Sequence, residues 1–144
     1  MIGPFLDLQP PRTPEAVPRI RRDVAAWART TGVSEATIDD LSLVVTELAT
    51  NAVRHGSGTR MRVVVGRIGD AIDLRVDDDG PSPSPEPTPA PGEHGRGLAI
   101  VRALGGDVTL DHGPNGTSAH VRLPVRSDTA PPAGAATLPP FQGP

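Results

Sequence analysis

Glu47 and Asn51 stand four residues apart in "LVVTELATNAVRHG", Leu43 to Gly56, among aliphatic neighbours. On a helix that interval puts both side chains on one face, about 6 Å apart along the axis. A carboxylate beside an amide oxygen suits a hard cation such as Mg²⁺, which takes few protein oxygens and completes its octahedron with phosphate and water. The same carboxylate is equally able to take a proton from a hydroxyl or from water. Leu43 and His55 extend the stripe. A second group is "VDDDGPS", where a run of acids meets Gly80. A carboxylate at a strand end accepts well from an exocyclic amine, and glycine lets backbone approach a flat ring. In the third, "GEHGRGLAIV", Gly92, Gly95 and Gly97 precede a helix. Inward-turned N–H groups and a helix N-terminus together make an anion cradle. Taken singly, each group has a plainer reading: a solvated helix face, an Asp-Gly turn, a hinge before a helix.

The elements that must position these residues follow from periodicity. "FLDLQ" reads as a short strand ended by Pro10 and Pro11. Thr13 as N-cap and Pro14 at the first position open a helix through Val17, Ile20, Val24 and Trp27, closed by Gly32. Ser34 caps a longer helix through Ile38, Leu41, Val45, Leu48 and Ala52, stopped at Gly56. "RMRVVVGRI" and "AIDLRVDDDG" alternate around "GD" and predict an antiparallel hairpin. "PSPSPEPTPAPGEHG" has too many prolines for helix or ladder and reads as a long lid, about 81–96. "GLAIVRALGG" predicts a short helix, and "DVTLDH" with "TSAHVRLP" a closing hairpin. A domain over 1–125 and a disordered tail rich in proline, alanine and glycine over 126–144 are expected. The order predicts an α+β fold, a mixed and mainly antiparallel sheet with helices on one face. Arg60, Arg62, Arg75 and Arg122 supply polar positions for the other face.

Composition removes several chemistries. The chain of 144 residues has no cysteine, which excludes disulfides, thiolate metal sites and cysteine nucleophiles. All 14 basic residues are arginine, so a P-loop lysine and a Schiff base are also excluded. A net charge of -3 without a basic run argues against nucleic acid as partner. No basic n-region opens the chain and no apolar run approaches a membrane span, so a cytoplasmic protein with no membrane association is expected.

In order and spacing the three groups resemble the GHKL ATPase superfamily, which includes histidine kinases, type II topoisomerases and Hsp90-like chaperones. "ELATNAVRHG" looks like its N box, "DDDGPS" and "GRGL" like its glycine boxes, and "NGTSAHVRLP" like its closing strand. The resemblance runs from about Arg12 to Pro124 and implies the Bergerat fold, a two-layer α/β sandwich that binds ATP with Mg²⁺. It implies Asn51 as the Mg²⁺ ligand and Glu47 as general base. Asp78, two residues before Gly80 and on the opposite strand face from Asp77, would accept from adenine. Gly80 would shape the ring pocket. Gly95, Gly97 and Leu98 would belong to the phosphate-facing lid, and Thr117 would lie near adenine. Ser82 departs from the pattern, since many members carry glycine there. The density of proline makes this lid stiffer than usual.

The HG after the N box, on a chain with neither a phosphoacceptor histidine domain nor a second large domain, most resembles the small anti-sigma factor serine/threonine kinases. The resemblance implies a sigma factor or a STAS-domain anti-anti-sigma protein as partner, with phosphorylation of a serine or threonine on the latter. The alternative is an ATP-binding module that sequesters its partner without phosphotransfer. Relatives in this branch commonly dimerise, so a homodimer fits the resemblance.

Overall fold

The computed structural model describes residues 2–56, 58–80, 94–113 and 116–126, with side chains described for 5–56, 58–80, 99–111 and 116–126. Strand β1 (Ile2–Leu8) leads into helices α1 (Ala16–Thr30) and α2 (Glu35–His55). Strands β2 (Met61–Ile68) and β3 (Ala71–Asp78) follow, then α3 (His94–Ala103), β4 (Asp107–Gly113) and β5 (Gly116–Pro124). The strands form one sheet in the order β1-β2-β3-β5-β4, and every pairing is antiparallel. This is the limiting case of the mainly antiparallel sheet expected from the sequence.

Helices cover one face. Val17, Ile20, Val24 and Trp27 of α1 and Ile38, Leu41, Val45 and Leu48 of α2 are buried against Val63, Val65, Ile72, Leu74, Val76, Val121 and Leu123 of the sheet. Trp27 is therefore a core residue. The other face carries cross-strand ion pairs. Arg62 meets Asp7 at 2.7 Å, Arg122 meets Asp73 at 3.0 Å, and Arg75 meets its strand neighbour Asp77 at 3.3 Å. The Arg62 hydrogen bond holds the Asp7 carboxyl below its ordinary value. Arg60 turns to the Gln9 carbonyl instead, at 2.5 Å. Phe5 lies over Gly66, where a Cβ would collide with its ring.

Two helix starts differ from expectation. Ser34 caps α2 as expected, accepting from the Thr37 N–H at 3.1 Å. Thr13 does not cap α1. The helix opens at Ala16 after a tight turn, in which the Ala16 and Val17 N–H groups donate to Thr13 O at 3.1 Å and Pro14 O at 3.2 Å. Backbone pairing explains the delay: Met61 N–H bonds Pro10 O at 2.8 Å and Arg12 N–H bonds Thr59 O at 2.9 Å, holding the segment extended. Pro18 then falls within the first turn, where no intrahelical donor is lost. Helix α3 starts at His94, three residues earlier than expected, and ends before Gly105, whose φ is 80°. The remainder of the expected lid, 81–93, lies outside the described residues, as does the tail over 127–144.

Arg126 follows β5 and is held to the start of α2. Its N–H donates to the buried Thr37 hydroxyl at 2.7 Å and its guanidinium meets Asp40 at 3.1 Å. Burial pushes the Asp40 carboxyl above its ordinary value, Arg126 pulls it down, and Asp39 adds a smaller upward push. Since the folded value is raised, the native state binds the Asp40 proton at a pH where the unfolded chain has released it. This contribution is present below the unfolded pKa and lost as pH rises through the folded one. Denaturant midpoints of wild type and Asp40→Asn, compared from about pH 6 down to about pH 4, should therefore diverge in favour of wild type on acidification. Parallel curves would show that burial at Asp40 is not felt.

Candidate functional site

Strands β3 and β4 run in the same direction with β5 slotted antiparallel between them, so α3 is the crossover of a split βαβ unit. This connectivity brings the end of β3 and the start of β5 to one edge of the sheet. Ligands favour such strand ends at a change of topology. The C-terminus of α2 arrives at the same edge, because a Cβ on Gly56 would lie 2.8 Å from Asp78 Oδ2.

Asp78 is the last residue of β3 and is buried at 6% exposure. Strand alternation turns it toward the helices, beside the inward residues Ile72, Leu74 and Val76, and turns Asp77 to the open face. Thr117 is half-buried on the inward side of β5, in line with Val121 and Leu123. The next residue pairs Ser118 with Asp77, so Thr117 and Asp78 come together at the sheet edge. Gly80, also buried, follows directly. Glycines make these approaches possible. Gly116 has a φ of 136°, and a Cβ there would collide with the Asp78 carbonyl. Gly58 has a φ of 86°, and a Cβ there would collide with the Asp79 carboxylate and lie 2.6 Å from the Gly80 N–H nitrogen. The Asp79 carboxylate in turn accepts from the Arg60 N–H at 3.2 Å.

Glu47 and Asn51 are both half-buried on α2. Helical rise places Asn51 about 7.5 Å and Glu47 about 13.5 Å from the Gly56 end beside Asp78. The polar groups are thus strung along one helix, a spacing suited to an elongated ligand. The metal suggested by the sequence fits this donor set. Both nearby α2 donors are hard oxygens, and among the described residues no group of three histidines or acids forms a protein-only metal site. Mg²⁺ held by one or two protein oxygens needs no such group.

Gly95 and Gly97 lie in the first turn of α3 and Leu98 opens the second, inside the helix and not ahead of it. Glycine costs about 1 kcal/mol relative to alanine in a helix interior, so two of them make this a weak helix start. The Leu98 side chain lies outside the description. His55 sits in the last turn of α2, at the negative end of the helix dipole.

Sequence reasoning missed Arg12, whose Nε donates to Gly58 O at 2.8 Å and whose terminal nitrogen donates to Val53 O at 2.7 Å. Nothing local in "PPRTP" signals a partner so distant in the chain.

Residues 11–123 match the histidine kinase-like ATPase domain family, and the chain belongs to that family. It is an ATPase-type domain with a nucleotide-binding fold. No curated protein matches the chain. Among solved structures it is similar to the RsbU and RsbW domains of Rv1364c from Mycobacterium tuberculosis, at a TM-score of 0.67 and 24% identity over 85% of this chain and 33% of the other. It is also similar to the histidine kinase domain of the Erythrobacter litoralis EL346 blue-light activated histidine kinase, at a TM-score of 0.51 and 23% identity over 62% of this chain and 45% of the other. At these identities the two structures show a shared fold, and the chain spans a third and under half of their lengths. The fold and superfamily implied by the sequence motifs are thus established.

Gly116→Ala should destabilise the protein by more than Gly32→Ala. Both positions have positive φ, worth about 1–2 kcal/mol of strain, but only Gly116 adds a collision, since nothing lies within 4 Å of a Cβ on Gly32. Urea denaturation of the two variants measures the difference, and equal losses would mean that β5 does not press on Asp78.

Proposed function

We propose that the protein is a cytoplasmic ATP- and Mg²⁺-dependent serine/threonine kinase of the anti-sigma type, acting by partner switching on a STAS-domain anti-anti-sigma protein and on a sigma factor. The observation that carries this reading is the buried Asp78 carboxylate at the end of β3, beside the C-terminal end of α2, the helix that bears Asn51 and Glu47. Family membership supports ATP as the ligand. The likeness in fold to a protein with an RsbW domain, together with the motif resemblance to anti-sigma kinases, supports the branch.

In this reading Asp78 accepts from the adenine amine, with Gly80 and Thr117 shaping the ring site. Gly95 and Gly97 offer backbone N–H groups to phosphate, with Leu98 beside them. Asn51 offers its amide oxygen to Mg²⁺. When bound, Mg²⁺·ATP supplies the phosphoryl group and the neutralisation of its charge. Glu47 accepts the proton of the seryl or threonyl hydroxyl that the partner brings. A carboxylate one helical turn from the metal-side amide supports that role.

Mg·ATP should raise the thermal midpoint of wild type, since a ligand that binds only the native state stabilises it by mass action. Asp78→Asn and Asn51→Ala should lose most of that shift. Glu47→Ala should keep it and lose phosphate transfer to a STAS partner by at least about a hundredfold, as loss of a general base does. Binding without transfer in wild type would instead favour a module that sequesters its partner. An equal shift in Asp78→Asn would remove Asp78 from the site.

A further inference from the structure

We infer that Arg12 is a positioning residue for the nucleotide and metal site, an inference that rests on the ATP-binding reading above. The segment that carries it, between β1 and α1, is anchored by its own backbone, the Arg12 N–H donating to Thr59 O at 2.9 Å. The guanidinium then spans two structures. Nε donates to Gly58 O at 2.8 Å, while one terminal nitrogen donates to Val53 O at 2.7 Å and to Ala52 O at 3.4 Å.

Ala52 and Val53 belong to the last turn of α2, where carbonyls lack the N–H partners of the helix interior and carry the negative end of its dipole. Gly56 N–H serves Ala52 O at 2.9 Å, and Arg12 provides the short bond to Val53 O. Asn51 immediately precedes these two residues, so fixing their carbonyls fixes the backbone from which the Asn51 side chain projects. The other arm holds Gly58, which packs against Asp79 and Gly80. One planar fork therefore sets the helix end bearing the metal-side amide relative to the loop that braces the adenine side. Its positive charge also offsets a helix C-terminus that would otherwise repel a polyphosphate. Lysine supplies the charge but not two divergent donors in one plane.

The test is a double-mutant cycle on Mg·ATP binding by titration calorimetry, with wild type, Arg12→Ala, Asn51→Ala and the double variant. Arg12→Ala should weaken binding by about tenfold, as loss of a residue supporting a ligand does. If Arg12 acts through Asn51, the same change made in the Asn51→Ala background should cost less than about threefold. Losses that multiply independently would overturn the inference, as would a lowered melting temperature with unchanged affinity, because either marks a merely structural contact. Should Arg12→Ala fail to fold, Arg12→Lys takes its place in the cycle, with a loss of at least about threefold expected in the wild-type background and none with Asn51→Ala. No binding by wild type, or wild-type affinity in Asn51→Ala, would overturn the ATP-site reading and this inference with it.

Discussion

The close approach of the α2 C-terminus to the end of β3 is the constraint on which the site depends. Two hydrogen-bond acceptors meet there, the carbonyl end of a helix and the Asp78 carboxyl group, which is largely closed to water. Gly56 allows the approach by lacking a Cβ, and Arg12 offsets the last-turn carbonyls with a positive charge. The core alone does not specify this contact, since its aliphatic residues fix how α2 lies on the sheet but not where its polar end stops.

Sheet topology serves the same end. Because β5 is inserted between β3 and β4, its first residues fall beside the last residues of β3, and Thr117 is delivered to Asp78 by strand register alone. The α3 crossover brings a helix N-terminus with two glycines into the connection that follows β3. Positions far apart in sequence are thus placed by rigid elements, whereas the finer approaches depend on glycine at Gly58 and Gly116.

Much of this was legible in the sequence because periodicity reports burial. Ile72, Leu74 and Val76 alternate with polar residues, and that pattern alone puts Asp78 on the covered face and Asp77 on the open one. Ser34 was legible as a cap because its oxygen serves an N–H within the same turn. Thr13 has the same chemistry, yet its segment is recruited by β2, and local preference yields to tertiary pairing. Arg12 was not legible because its partners, Val53 and Gly58, are neighbours only after α2 and β2 have packed. The proline-rich connection was readable as neither helix nor strand, but proline density gives no direction in space.

The Arg126 anchor fixes where β5 finishes in space. Thr37 and Asp40 lie near the start of α2, and helical rise separates Thr37 from Gly56 by about 28 Å. Arg126 therefore lies at the far pole from Asp78. A fluorophore or surface tether fastened at residue 126 begins its path well away from Asp78, which makes that position a natural handle for single-molecule work.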